Sequence, residues 1–67
     1  MKVIAELEVS DNKKLVLSIG EFQGNERIDL RQYIKVDDKY IITKKGINFH
    51  AEWMDKFIEM IEKLKDM

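Results

Sequence analysis

Hydrophobic and polar residues alternate along the first two-thirds of the chain and then change period. Val3, Ala5, Leu7 and Val9 alternate with Ile4, Glu6, Glu8 and Ser10, a period of two that predicts a half-buried strand. Ser10-Asp11-Asn12-Lys13 follows as a turn, because short polar side chains satisfy backbone groups locally. Leu15, Leu17 and Ile19 then alternate with Val16, Ser18, Gly20 and Phe22 in a second strand. Gly20 in its interior predicts a bulge or a close backbone approach. Gln23-Gly24-Asn25-Glu26 supplies a tight turn, since glycine and asparagine tolerate positive φ. A third strand sends Ile28 and Leu30 one way and Arg27, Asp29, Arg31 and Tyr33 the other. Val36-Asp37-Asp38-Lys39 turns the chain again. Tyr40-Ile41-Ile42-Thr43 reads as a fourth strand, being β-branched and aromatic, and Lys44-Lys45-Gly46 is expected to break it as a glycine turn.

From about His50 to Lys65 the period becomes helical. Trp53, Phe57, Met60, Ile61 and Leu64 form one apolar stripe. Met54 and Ile58 widen it beyond what one sheet face covers, which points to a second surface such as the same helix of a partner subunit. Glu52 in the first turn and Lys63 and Lys65 in the last agree with the helix dipole. The predicted fold is α+β: a four-stranded antiparallel sheet followed by one C-terminal helix, β-β-β-β-α, in a single domain over residues 1–67.

Size changes this picture. A chain of 67 residues buries too little surface to be comfortable alone. It has no cysteine to form a disulfide, and one histidine without cysteine argues against a structural zinc site. Association is the remaining common device, so a homodimer through the helices is expected, with Trp53, Phe57, Ile61 and Leu64 at the interface. No segment has the ~18 consecutive apolar residues of a membrane span, and no apolar run follows a basic start. A cytoplasmic location with no membrane partner is the expectation.

The net charge is −1, but its distribution is uneven. Residues 12–49 carry +3 and residues 50–67 carry −2, which permits a basic sheet with an acidic helix behind it. Asp37-Asp38 reads as a solvated turn rather than a catalytic pair. His50 has no nucleophile, carboxylate or second histidine at a useful spacing, and suits the start of the helix instead. No phosphate-cradling glycine motif is present. Neither an enzyme nor a cofactor or metal is expected.

What remains is binding. Lys44 and Lys45 beside Gly46, Phe22 at a hairpin end, and Arg27 and Arg31 roughly 13 Å apart on one strand face combine cations for phosphates with a flat ring for bases, as single-stranded nucleic acid requires. Each element also has a plainer reading. The lysine pair is equally a charged strand end, Phe22 a core aromatic, and Arg27 and Arg31 a solvated face with Asp29 paired between them.

The ordered set Phe22-Gln23-Gly24-Asn25-Glu26-Arg27-Ile28-Asp29-Leu30-Arg31-Gln32-Tyr33, then Lys44-Lys45-Gly46-Ile47-Asn48-Phe49, then Glu52-Trp53, resembles the C-terminal domain of the eukaryotic transcriptional coactivator positive cofactor four. The resemblance spans residues 12–64 and is that of a short, free-standing member of the bacterial kind. It implies a homodimer of β-β-β-β-α subunits, paired through their helices, whose curved sheets bind single-stranded DNA with little regard for sequence. The implied processes are transcription regulation, replication or repair, and the implied location is the cytoplasm, associated with the nucleoid in a bacterium. By position, Phe22 is implied to stack on a base, Arg31 to meet phosphate or base edges, and Lys44 and Lys45 to neutralise phosphates. Lys13 matches a basic position at the start of the second strand. Gln23 and Asn25 stand where the eukaryotic proteins have lysines and are implied to hydrogen-bond. Ile34 replaces a stacking tryptophan, a role open to Tyr33 or Tyr40. The net acidity and the missing lysines leave a dimeric protein-interaction module, or a single-stranded RNA binder on the same scaffold, as the alternative.

Overall fold

The computed structural model describes residues 1–67. Four strands follow one another as an antiparallel meander: β1 (Lys2–Ser10), β2 (Lys13–Phe22), β3 (Asn25–Val36) and β4 (Lys39–His50), in spatial order β1-β2-β3-β4. A 3₁₀ turn (Ala51–Trp53) leads into the helix α1 (Met54–Glu62), and a second 3₁₀ turn (Lys63–Asp66) ends it. The curved four-stranded sheet with one C-terminal helix is the predicted architecture.

Two boundaries differ from expectation. The fourth strand is not broken at Lys44-Lys45-Gly46; it continues to His50. Arg31 pairs with Gly46 and Tyr33 with Ile42, so Gln32 alone stands opposite Thr43, Lys44 and Lys45. The two extra residues are absorbed as a bulge, which bends a strand without ending it. The C-terminal segment is also less uniform than one helix from His50 to Lys65. His50 is the last strand residue and makes no side-chain cap bond, and Trp53 lies in the 3₁₀ turn before α1.

Gly20 marks no bulge, because the β2–β3 ladder runs without a shift from Lys13↔Ile34 to Phe22↔Asn25. A Cβ there would meet the Met1 side chain. The irregularities lie in β1, between Val3 and Ala5 and between Glu8 and Ser10.

Paired residues share a face and neighbours alternate, so the unbroken β2–β3 ladder divides the sheet cleanly. Leu15, Leu17, Ile19, Ile28 and Leu30 share one face, joined through β4 by Ile47 and Phe49. Lys14, Val16, Ser18, Phe22, Arg27, Asp29, Arg31 and Tyr33 share the other. The helix packs on the apolar face, where the Phe57 ring stacks on Phe49 at 4.7 Å between centroids.

This packing is incomplete. Only Val16, Ile28 and Phe49 are buried apolar residues. Every residue of β1 is exposed, not half-buried as its alternation suggests, because no second layer of this chain covers the edge strand. An open apolar groove of ≈ 480 Å³ runs between sheet and helix, lined by Ile4, Leu17, Leu30, Met54, Phe57 and Ile58 among others. The accessible surface is 5797 Å² for a mass of 8.0 kDa, whereas a compact monomer of that mass exposes about 4,450 Å². No helix is long and apolar enough to cross a membrane.

Candidate nucleic-acid interface

The β2–β3 hairpin closes on the pair Phe22↔Asn25, leaving Gln23 and Gly24 as a two-residue turn. Their φ values of 53° and 80° are those of a type I′ connection, whose twist matches that of the flanking strands. The left-handed positions are thus Gln23 and Gly24, while Asn25 is the first residue of β3 and its side-chain amide donates to the Gln23 carbonyl at 3.4 Å. This tight tip leaves the Phe22 ring without a covering layer, and the residue is 64% exposed. Phe22 lines a shallow depression with Gly20, Arg27 and Asn48.

Behind the tip lies a continuous polar chain across β3 and β4. Arg27 Nε donates to Asn48 Oδ1 at 2.7 Å, and Asn48 Nδ2 donates to Asp29 Oδ1 at 3.4 Å. Arg31 reaches the same carboxylate with Nε at 3.2 Å to both oxygens and with Nη2 at 3.0 Å to Oδ1. Its remaining nitrogen, Nη1, donates to the Thr43 carbonyl at 3.2 Å. The Arg31 hydrogen bond holds the Asp29 carboxyl below its ordinary range, against the opposing effect of burial and with help from Asn48. Asp29 in turn raises the Arg31 guanidinium.

Charge follows from this geometry. Arg31 is neutralised within the protein, so the plainer reading of Asp29 as a partner holds for one of the two arginines. Arg27 donates to a neutral amide and forms no ion pair, so its charge is not offset by a partner within the chain. Lys44 and Lys45 are exposed on the bulge and form no ion pair.

The alternation of β2 separates the two lysines at its start. Lys13 pairs with Ile34 on the face of Leu15 and Leu17, away from Phe22 and Arg27. Lys14 pairs with Tyr33 on the polar face. Lys14 also bonds to Glu6, which raises its pKa against the lowering effect of burial. Its ammonium lies 4.1 Å from the centre of the Tyr40 ring, with Lys35 at 5.3 Å from the same ring. Tyr33 and Tyr40 are each half-buried there. Lys14, Lys35 and Thr43 stand outside the motif and Asn48 within it; strand register brings Lys14, Lys35 and Asn48 to the polar face and leaves Thr43 in the bulge.

Of the expected contact residues of the helix, Phe57 is half-buried against Phe49, while Trp53, Ile61 and Leu64 are exposed. The Trp53 ring meets His50 edge-on, at 5.4 Å.

The structure therefore defines a small meander sheet with one helix on its apolar face and arginines, an exposed ring and a dilysine bulge set on its strands. The family model for Transcriptional Coactivator p15 (PC4) matches residues 9–60, and the chain belongs to that family. Solved structures agree in fold. A PC4 homolog from Burkholderia pseudomallei is 22% identical, with a TM-score of 0.86 over 96% of each chain. A bacteriophage T5 homolog of the eukaryotic coactivator is 21% identical, with a TM-score of 0.73 over 94% of this chain and 74% of the phage chain. A search of curated proteins gives no match.

Proposed function

We propose that this protein is a homodimeric, sequence-tolerant binder of single-stranded DNA. The observation that carries the reading is the position of Phe22: a ring 64% exposed on the same sheet face as the charged Arg27. An exposed ring beside a free cation serves stacking and phosphate contact together. Lys44 and Lys45 add two unpaired charges on β4, Gln23 and Asn25 add hydrogen-bonding groups at the tip, and Tyr33 and Lys14 extend the polar face. Lys13 contributes through the long-range field, since it lies on the other face. Family membership supports DNA as the ligand, as does the phage T5 homolog, which is implicated in recombination-dependent DNA replication.

The dimer is supported by what the single chain leaves open. Its surface exceeds that of a compact monomer by about 1,300 Å², which falls within the roughly 1,000–2,500 Å² per subunit that obligate dimers bury. Phe57 and Ile61 on α1, Trp53 and Leu64 in the 3₁₀ turns at its two ends, and the apolar groove beside them are the surface a second copy covers. The polar sheet faces then remain available to two strands.

Fluorescence anisotropy with labelled oligo-dT and the matched duplex tests the reading. Clear preference for the single strand is expected. Equal weak binding to both, or none below ~100 μM, where nonspecific affinities lie, would reject it in favour of a protein-interaction module.

A further inference from the structure

Thr43 occupies the base of the dilysine bulge, and its hydroxyl makes two bonds there. It donates to the Gln32 carbonyl at 2.6 Å and accepts from the Lys45 backbone N–H at 3.2 Å. Gln32 is the β3 residue whose ladder partner the bulge removes. Backbone carbonyls inside a sheet need partners, and the Thr43 hydroxyl supplies one to Gln32 while tying the second lysine into the same bond chain. The Thr43 carbonyl is held as well, by Arg31 Nη1 at 3.2 Å, and that guanidinium is itself fixed by Asp29. On the far side of the bulge, Gly46 sits so close to β3 that a Cβ would lie 2.5 Å from the Leu30 carbonyl oxygen.

We propose that Thr43, with the Arg31–Asp29 pair behind it, is a positioning brace that holds the Lys44–Lys45 bulge in one shape, so that both ammonium groups meet the phosphates of a bound single strand without first being ordered. The inference rests on the reading of the protein as a single-strand binder and assigns Arg31 an indirect role, through Thr43, rather than a direct phosphate contact. Bulges aim side chains. Left unbraced, the bulge would present its two ammonium groups in many directions, and one or both phosphate contacts would be lost, because ordering the lysines costs more than those contacts return.

The test compares wild type with Thr43→Val, which keeps shape and removes both hydroxyl bonds, and Thr43→Ser, which restores them. Two readouts are needed. Amide exchange at Lys45, without any ligand, is expected to be on the order of tenfold faster in Thr43→Val and near wild type in Thr43→Ser. Oligo-dT binding is expected to weaken in Thr43→Val, with the slope of log affinity against log salt reduced by roughly 0.7–1.4, the share of one or two phosphates. Adding Lys44→Gln and Lys45→Gln to Thr43→Val then costs little more. Unchanged Lys45 exchange, or a wild-type salt slope in Thr43→Val, overturns the brace. If wild type binds no strand, the functional reading and the phosphate-aiming role both fall, while exchange alone still decides whether the bulge is braced. Should Thr43→Val not fold, Arg31→Lys carries the same comparison, because a single ammonium cannot span Asp29 and the Thr43 carbonyl together.

Discussion

Arg31 and Gly46 face each other across the β3–β4 ladder with no room for a side chain on the glycine. A Cβ at position 46 would stand 2.8 Å from the Arg31 Cα. The Lys-Lys-Gly run predicts a turn at this glycine, but the glycine instead lets two strands close up beside the bulge that carries Lys44 and Lys45. The Lys-Lys-Gly run is therefore a shaped part of a strand.

Gly46→Ala is expected to destabilise the protein by about 1–3 kcal/mol, the usual range for overpacking. The clash is with backbone atoms, which cannot rotate away as the tip of a side chain can. Chemical denaturation followed by circular dichroism measures it. Wild-type stability in the variant would show that β3 and β4 can separate freely at this point.

Phe22→Ala is expected to weaken single-strand binding by ~1–3 kcal/mol, the value of one stacking platform, while leaving the unfolding midpoint nearly unchanged. The ring is mostly in solvent in the free protein, so its removal leaves no cavity. Anisotropy titrations and thermal melts on one preparation separate the two effects. A large loss of stability with no change in affinity would mean the ring packs rather than stacks.

Charge removal distinguishes the two arginines. Arg27→Gln is expected to lower the salt slope by roughly 0.7, one phosphate on a single strand, because its partner Asn48 is neutral. Asp29→Asn is expected to act differently. It frees the Arg31 charge but loosens the guanidinium's hold on Thr43, so stability falls. Salt titrations across 50–200 mM, roughly the range over which such slopes are read, decide between these behaviours.

Asp29 also sets a pH dependence. Arg31 holds its carboxyl below the ordinary value in the folded chain. The carboxyl's contribution to stability is therefore fully present above about pH 4, near the unfolded pKa, and is lost as pH falls through the lower folded value. Asp29→Asn is expected to be less stable at neutral pH and to show a flatter acid limb. Equal acid sensitivity of variant and wild type would place the acid-labile group elsewhere.

The helix gives the clearest test of association. Ile61→Glu places a charge in the centre of the exposed stripe and is expected to convert a dimer to monomer in sedimentation equilibrium at micromolar concentration, with a marked loss of stability. Wild type that sediments as a monomer under those conditions contradicts the account of the open groove.

Much of this protein was legible from periodicity. The alternation in residues 2–43, the turn chemistry at Asp11-Asn12, Gln23-Gly24 and Asp37-Asp38, and the helical stripe from Trp53 onward determine element types and order, because local backbone preferences and the side to which each residue points are set within a few positions. The ordered motif from Phe22 to Trp53 carried the family. Tertiary structure decided the rest. Whether Lys44-Lys45-Gly46 ends a strand or bulges it depends on the backbone of β3 at Leu30 and Arg31, more than twelve residues away. Which of Lys13 and Lys14 joins the polar face depends on the register with Tyr33 and Ile34. That Arg31 is neutralised while Arg27 stays free depends on where Asp29, Asn48 and Thr43 meet across two strands. Such pairings arise from contacts between distant segments, and composition and spacing carry no record of them.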